Sequence, residues 1–332
     1  MSQKIAVVTG CAGFIGLNLT QKLLKDKWSV YGIDKLTHVS DLKELNNLRQ
    51  IYGAQFKFIE EDIVTINWLP ECDVIFNLAA ESDVDISNSC CKDFVKSNID
   101  GVRNLLEIIN KRIFIRVDKP LFFQISTDEV YGDLKNGKFN ESSQLNPSNP
   151  YSATKAAADL LIQSWSRSHG LDYIVVRPSN NYGLFQYPEK LIPLSIKRLQ
   201  RGLPIKLHNK GEPIRTWTHV DDTIDAIMWL YQVSAFEDIK NRIYNISSEY
   251  EQTNLQTVIK IINQYFLGNL TRSIPDDELD THLDFSYDRP GQDVRYSISC
   301  KPLRDIGWKP QKSFDDELPK IVEYYKYRDW IW

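Results

Sequence analysis

Cysteine, histidine and methionine are scarce in this chain of 332 residues, at five, five and two. The five cysteines (Cys11, Cys72, Cys90, Cys91, Cys300) have neither metal-ligand nor disulfide-framework spacing, and an odd count suits a reducing compartment. The histidines are scattered without an H-x-x-x-H pair, so no structural or catalytic metal is expected. No apolar run approaches the length of a membrane span. A basic surplus is missing too: a net charge of −4 and a pI near 5.8 argue against non-specific nucleic-acid binding. Repeats, low-complexity tracts and long charge blocks are absent. The opening M-S-Q-K-I-A-V-V-T-G enters a strand directly, without the layout of a secretion signal, so a cytoplasmic location is expected.

What is there is an ordinary globular composition, 42% hydrophobic and 25% charged. Short β-branched runs at 4–10, 28–34, 56–62, 73–80, 121–127 and 172–178 alternate with helical patterns near 14–27, 41–52, 91–112 and 151–169. Near-continuous apolar strands separated by helices predict a doubly wound parallel Rossmann-type sheet, with ligands at the carboxyl ends of the strands. Beyond residue 180 the pattern loosens into helices at 190–201, 221–233, 254–266 and 313–327 among short strands. The expectation is an α/β fold with a first domain over 1–180 and a smaller C-terminal α/β lobe over 181–332. The boundary is soft, because some C-terminal segments are expected to return to the main sheet.

G-C-A-G-F-I-G places Gly10, Gly13 and Gly16 between the first strand and a helix. Bare glycines let a pyrophosphate approach the backbone, and the helix start offers N–H groups and a positive dipole end. Three glycines alone also fit a plain turn; strand before, helix after and Asp34 closing the second strand favour a dinucleotide. A carboxylate there can accept from both ribose hydroxyls of NAD and would repel a 2′-phosphate, a preference that Lys35 softens. Asp62-Ile63 can flank the adenine or simply cap a strand end.

Y-S-A-T-K sets Tyr151 and Lys155 on one face of a helix that Pro150 helps to start. Tyrosine, with a pKa of about 10, is a poor base at neutral pH, and lowering it by about three units needs roughly 4 kcal/mol. Lys155 and a positive nicotinamide ring would favour the phenolate, which could take a hydroxyl proton as hydride leaves the same carbon. In S-T-D-E-V-Y-G (126–132) a buried strand ends on two adjacent carboxylates. In a continuing strand Asp128 and Glu129 would face opposite sides, so the strand must stop there for both to reach one ligand. A solvated loop capped by the aspartate is the plain alternative.

The glycine turn, N-L-A-A-E-S (77–82), Y-x-x-x-K and S-N-N-Y-G (179–183) resemble the extended short-chain dehydrogenase/reductases. S-T-D-E-V-Y-G, P-E-K-L-I-P (188–193) and D-R-P-G-Q-D (288–293) are similar to the nucleotide-sugar 4,6-dehydratases among them, over about residues 4–327. The resemblance implies tightly held NAD, recycled within each turnover, and a UDP- or dTDP-hexose converted to its 4-keto-6-deoxy form. Oxidation at C4 makes the C5 hydrogen acidic, water is lost across C5 and C6, and hydride returns to C6. It implies Tyr151 as the C4-hydroxyl base, Lys155 tuning it, and Thr127 donating to the C4 oxygen. Glu129 would take the C5 proton and a protonated Asp128 would serve the departing C6 hydroxyl, tasks that need opposite protonation states.

Implied cofactor contacts are Gly10, Gly13, Phe14, Ile15, Gly16, Asp34, Lys35, Asp62, Ile63, Leu78, Ala79, Ala80, Ser97, Tyr151 and Lys155. Implied substrate contacts are Ser82, Asn180, Glu189, Lys190, Arg215, Asn254 and Arg289. Where such proteins commonly read A-E-S-H-V-D-R-S, this chain has A-E-S-D-V-D-I-S; Asp83 and Ile86 leave the sugar open, glucose or a 2-acetamido sugar with C5 epimerisation included. A same-fold 4-epimerase or reductase would keep Tyr151 and Lys155 but have no use for Asp128 with Glu129. A non-catalytic dinucleotide-binding regulator would typically lose Tyr151 or Lys155. The partner expected besides the nucleotide sugar is a second copy of the chain, with stripes at Val102, Leu105, Leu106 and Ile109 and at Ala157, Leu160 and Leu161 forming an intersubunit four-helix bundle or packing on the sheet.

Overall fold

The computed structural model describes residues 3–114, 119–236, 242–286 and 293–328. Strands β1 (Ile5–Thr9), β2 (Ser29–Asp34), β3 (Phe56–Glu60), β4 (Val74–Asn77), β5 (Leu121–Ile125) and β6 (Tyr173–Pro178) fall where the β-branched runs predict them. β7 (Asn180–Tyr182), β8 (Ile205–Lys206), β9 (Ile214–His219), β10 (Ile243–Ile246), β11 (Glu251–Thr253) and β12 (Leu283–Asp284) follow. The main sheet has seven strands in the order β3-β2-β1-β4-β5-β6-β10, every pairing parallel. The order reverses between β1 and β4, which leaves a crevice at their carboxyl ends. β10 lies well past residue 180 yet completes this sheet, pairing Ile243–Ile246 with Val175–Pro178.

Successive side chains on a strand point to opposite faces, and this alternation builds two cores. Ala6, Val8, Val74, Phe76, Phe123, Ile174 and Val176 feed one face; Val7, Ile75, Phe122 and Val175 feed the other. The first face is covered by α1 (Phe14–Lys25), α2 (Leu42–Tyr52) and, from the C-terminal half, α8 (Val220–Phe236) and α11 (Lys301–Asp305). Before these two in the chain come α3 (Val84–Ser89), α4 (Lys92–Val95), α5 (Gly101–Phe114), α6 (Pro150–His169) and α7 (Leu191–Gln200). α5 and α6 cover the second face. α7, α9 (Asn254–Leu267) and α12 (Phe314–Lys326), with α10 (Asp276–Thr281) beside β12, surround a third core. That core also packs on the small sheet β11-β9-β7.

Val102, Leu105, Leu106 and Ile109 are 0–1% exposed and belong to the second core. That stripe of α5 therefore packs against the sheet and does not face a partner; Leu160 of α6 and Val95 are the exposed members of this surface. The helix expected over 91–112 is also not continuous. α4 gives way to a π-helical turn at Lys96–Asp100 before α5 begins. Such turns frequently mark functional sites. Here the turn carries Asn98, whose side chain grips the backbone of Glu81 (2.9 and 3.0 Å) and the Thr154 hydroxyl (2.9 Å). The loop after β4 is thereby tied to the start of α6.

Candidate active site

Every loop at the carboxyl end of β1–β6 opens onto one groove. Its central cavity, about 280 Å³, is lined by Gly10, Gly13, Phe14, Ile15, Gly16, Leu78, Ala80 and Ser82 on one side, and by Thr127, Asp128, Glu129, Tyr151, Lys155, Asn180, Glu189 and Lys190 on the other. A smaller cavity of about 90 Å³ continues it along Asp34, Lys35, Asp62, Ile63, Ala79 and Ser97. A third, about 250 Å³, shares Ser82, Glu129, Asn180, Glu189 and Lys190 and adds Arg215 and Asn254. All sequence-expected site residues thus meet in one groove except Arg289, which lies outside the described residues.

The glycines divide their work. Gly10 has φ +68° and sits so close to β4 that a Cβ would lie 2.7 Å from the Ala79 nitrogen; one on Gly16 would lie 2.0 Å from the Gly10 carbonyl. Both are demanded by the fold. A Cβ on Gly13 would meet only the Gly10 carbonyl at 3.4 Å, ordinary contact. Gly13 is the N-cap of α1, with no side-chain cap and no acidic residue in the first turn. The bare, uncapped helix start fits a pyrophosphate.

Asp34 already spends part of its acceptor capacity on this turn, taking the Ala12 N–H at 3.0 Å and the Leu36 N–H at 2.9 Å. Burial raises its pKa. Lys35 turns to Glu81 (2.8 Å) and the Ser97 hydroxyl (3.1 Å). Asp62 lines the groove and also caps its loop, accepting from the Val64 N–H at 2.9 Å.

β5 stops at Ile125, and Asp128–Tyr131 form a 3₁₀-helix whose N-cap is Thr127, ended by Gly132 at φ +86°. A 3₁₀ turn advances three residues per revolution, so the adjacent carboxylates diverge by a third of a turn and not by the half-turn of a strand. Both line the central cavity. Burial first, then the Glu129 charge, lift Asp128 to about 8, and its Oδ2 has no partner among the described residues. Burial also raises Glu129, opposed by Arg215 and the Asn149 amide.

Burial raises the Tyr151 phenol well above its usual value, with Glu129 adding to the rise and a hydrogen bond to Thr127 opposing it. Lys155 donates to the Ile125 carbonyl at 2.7 Å, and burial lowers its pKa to about 8. The expected lowering of the tyrosine by Lys155 is therefore not built into the protein alone. In the third cavity, Asn180 Oδ1, Asn254 Oδ1 and Trp217 Nε1 are buried without hydrogen-bond partners among the described residues. Arg215 stacks on Tyr296, its guanidinium carbon 4.6 Å from the ring centroid. Asp83 caps α3 through the Ile86 N–H (2.9 Å) and borders this cavity, whereas Ile86 is exposed.

Several residues escaped the motif reading. Arg177, fully buried, donates to Asp159 (Nε at 3.0 Å, Nη2 at 2.9 Å) and to the Tyr131 hydroxyl at 2.9 Å. Asp159 also accepts from Ser126 at 3.0 Å. This buried pair pins both ends of the Asp128–Tyr131 turn to the helix that carries Tyr151 and Lys155. The signal was a lone arginine inside the apolar run Y-I-V-V-R-P, four-square in a central strand where an unpaired charge is costly.

Sheet order, glycine turn and the Tyr151–Lys155 face define an extended short-chain dehydrogenase/reductase. More narrowly, residues 7–321 match the family described as GDP-mannose 4,6 dehydratase, and the chain belongs to it. It is 37% identical over 324 residues to the low-salt glycan biosynthesis protein Agl12 of Haloferax volcanii, covering 96% of this chain and 97% of that one. It is 38% identical over 339 residues to dTDP-glucose 4,6-dehydratase of Haemophilus influenzae, again covering 96% and 97%. The crystal structure of DesIV, a dTDP-glucose 4,6-dehydratase from Streptomyces venezuelae with NAD and TYD bound, superposes with a TM-score of 0.83 at 33% identity, covering 97% of each chain.

Proposed function

We propose that the protein is an NAD-dependent nucleotide-sugar 4,6-dehydratase acting on dTDP-glucose. The observation that carries this is the 3₁₀ turn at the end of β5, which offers Asp128 and Glu129 together to the cavity that Tyr151 and Lys155 line. Bound NAD supplies hydride acceptance from C4 and its return to C6. Gly10, Gly13 and the α1 start hold its pyrophosphate, with Asp34 and Lys35 at the adenosine end. Tyr151 takes the C4 hydroxyl proton as Thr127 donates to the oxygen where charge develops. Glu129 removes the C5 proton. Asp128, neutral below about 8, gives its proton to the leaving C6 hydroxyl. Arg215, Lys190 and Asn254 hold the nucleotide diphosphate, and Arg289 is assigned there on its motif.

The nucleotide assignment leans on the dTDP-glucose enzymes among its relatives. A 4-epimerase would leave Asp128 and Glu129 without a task, and a non-catalytic regulator would leave Tyr151 and Lys155 without one. No helix among the described residues is long and apolar enough to cross a membrane. We place the enzyme in the cytoplasm as a homodimer, joined through the α4–α6 surface that exposes Val95 and Leu160; sedimentation would test the assembly.

The decisive experiment incubates the protein with dTDP-glucose, UDP-glucose and UDP-N-acetylglucosamine and follows loss of one water by mass spectrometry. Conversion of dTDP-glucose is expected. Water loss from a UDP-sugar alone overturns the nucleotide assignment, and no loss from any of them overturns the reaction class.

A further inference from the structure

We propose that Asn149 is a positioning residue for Glu129, its side-chain amide locked by the cap of α6 so that the NH₂ group faces the carboxylate. The proposal rests on the dehydratase reading for what Glu129 does, and on geometry for the rest. Asn149 is the N-cap of α6, in extended backbone at φ −141°, ψ 162°. Its Oδ1 accepts the Ser152 N–H at 2.9 Å, while its own N–H donates to the Ser152 hydroxyl at 3.3 Å, closing a capping box. With Oδ1 so committed, Nδ2 is the group left to turn outward, and it donates to Glu129 Oε2 at 3.4 Å. Rotating the amide would cost the cap.

The helix does not require asparagine here, because aspartate and serine cap as well. Neither offers an N–H to Glu129. What asparagine adds is a donor that engages Oε2 and leaves Oε1 for the sugar. It does so one residue before Pro150 and two before Tyr151, so the helix start that carries the base opening the reaction also holds, through Asn149, the base on the neighbouring turn that continues it.

The charged and titratable groups around Glu129 come from several elements. Asp128 is on its own turn, Tyr151 on α6, Lys190 just before α7, Arg215 on β9, and Asp293 and Tyr296 on the segment beyond β12. Arg215 and Lys190 favour the ionised carboxylate; burial and Asp293 oppose it. Asn149 favours it without bringing a further charge into a cavity that must also accept a diphosphate.

The test compares NAD-loaded wild type with Asn149→Asp and Asn149→Ser, both of which keep the cap. With dTDP-glucose, the acid limb of kcat for water loss should move up by about one pH unit in Asn149→Asp, about a tenfold loss of turnover on that limb. A smaller shift in the same direction is expected for Asn149→Ser. In both, C4 oxidation should survive, so bound NADH accumulates at 340 nm-type absorbance before elimination. Independently of turnover, the ¹³C carboxyl resonance of Glu129, assigned by its disappearance in Glu129→Gln, should titrate at higher pH in Asn149→Asp than in wild type. Equal titration of Glu129 in all three proteins overturns the proposal, as does parallel loss of C4 oxidation and water loss. Should wild type form no dehydrated product, the dehydratase reading falls, and the carboxyl titration still decides the role of Asn149.

Discussion

Asp128 should lose its proton, and the enzyme its general acid, as the pH rises through about 8. An exposed aspartate titrates near about 3.9. The difference arises from burial first, at 3% exposure, and from the Glu129 charge second. It corresponds to on the order of 5 kcal/mol favouring the neutral form in the folded protein. The sign for stability follows. The folded state holds this proton more tightly than the unfolded chain, so the contribution is complete below about 3.9 and is lost progressively until about 8. Asp128→Asn is neutral throughout, so its stability relative to wild type should rise by a few kcal/mol between acid and alkaline pH. Its water-loss step should meanwhile fall by about 10²–10⁴-fold, with C4 oxidation intact. Wild-type water loss, measured by quenched-flow mass spectrometry, should fall about tenfold per unit above pH 8. Urea unfolding at several pH values gives the stability difference. A rate that stays flat well past pH 8, together with a pH-independent stability difference, would refute the reasoning.

Glu129→Gln should oxidise C4 and stall with bound NADH, whereas Tyr151→Phe should show no NADH signal with any nucleotide sugar; normal turnover by either removes that residue from the mechanism. Arg177→Met strands Asp159 in the core and should cost about 3–5 kcal/mol in urea unfolding. Arg177→Met with Asp159→Leu should recover part of it; a single variant as stable as wild type would show the pair to be inert. Gly16→Ala drives a Cβ into the Gly10 carbonyl and should destabilise by about 1–3 kcal/mol. Gly13→Ala has room, so its stability should change by about 1 kcal/mol or less, while NAD affinity by calorimetry falls. Equal NAD affinity in Gly13→Ala would detach that glycine from the cofactor.

Much of the site was legible because chemistry-bearing residues sit at strand ends, and strand ends are marked by local pattern. Gly10, Gly13 and Gly16 follow an apolar run; Thr127, Asp128 and Glu129 follow another; Tyr151 and Lys155 follow a proline helix start. Each is a short-range signal. The Asp159–Arg177–Tyr131 network was not legible, because its members lie 18 and 46 residues apart and meet only through the pairing of β5 with β6 under α6. Asn149 escaped for a similar reason: its cap is local, but its contact with Glu129 spans 20 residues. The α5 stripe was ambiguous, since an apolar face looks the same whether a sheet or a partner covers it.

By itself the sequence determined the period-two and helical patterns, and therefore a parallel sheet with its ligand groove at the strand ends. It also determined the residue types in that groove, because glycine, tyrosine, lysine and paired carboxylates are read directly. Only the tertiary structure decided that β10 and α8 return to the first core, that the strand converts to a 3₁₀ turn at Asp128, and that burial raises both carboxyls of that turn. The physical reason is common to all three. Burial and charge neighbours are properties of space and not of sequence separation, and a pKa, like a strand partner, is set by what the fold brings within a few ångströms.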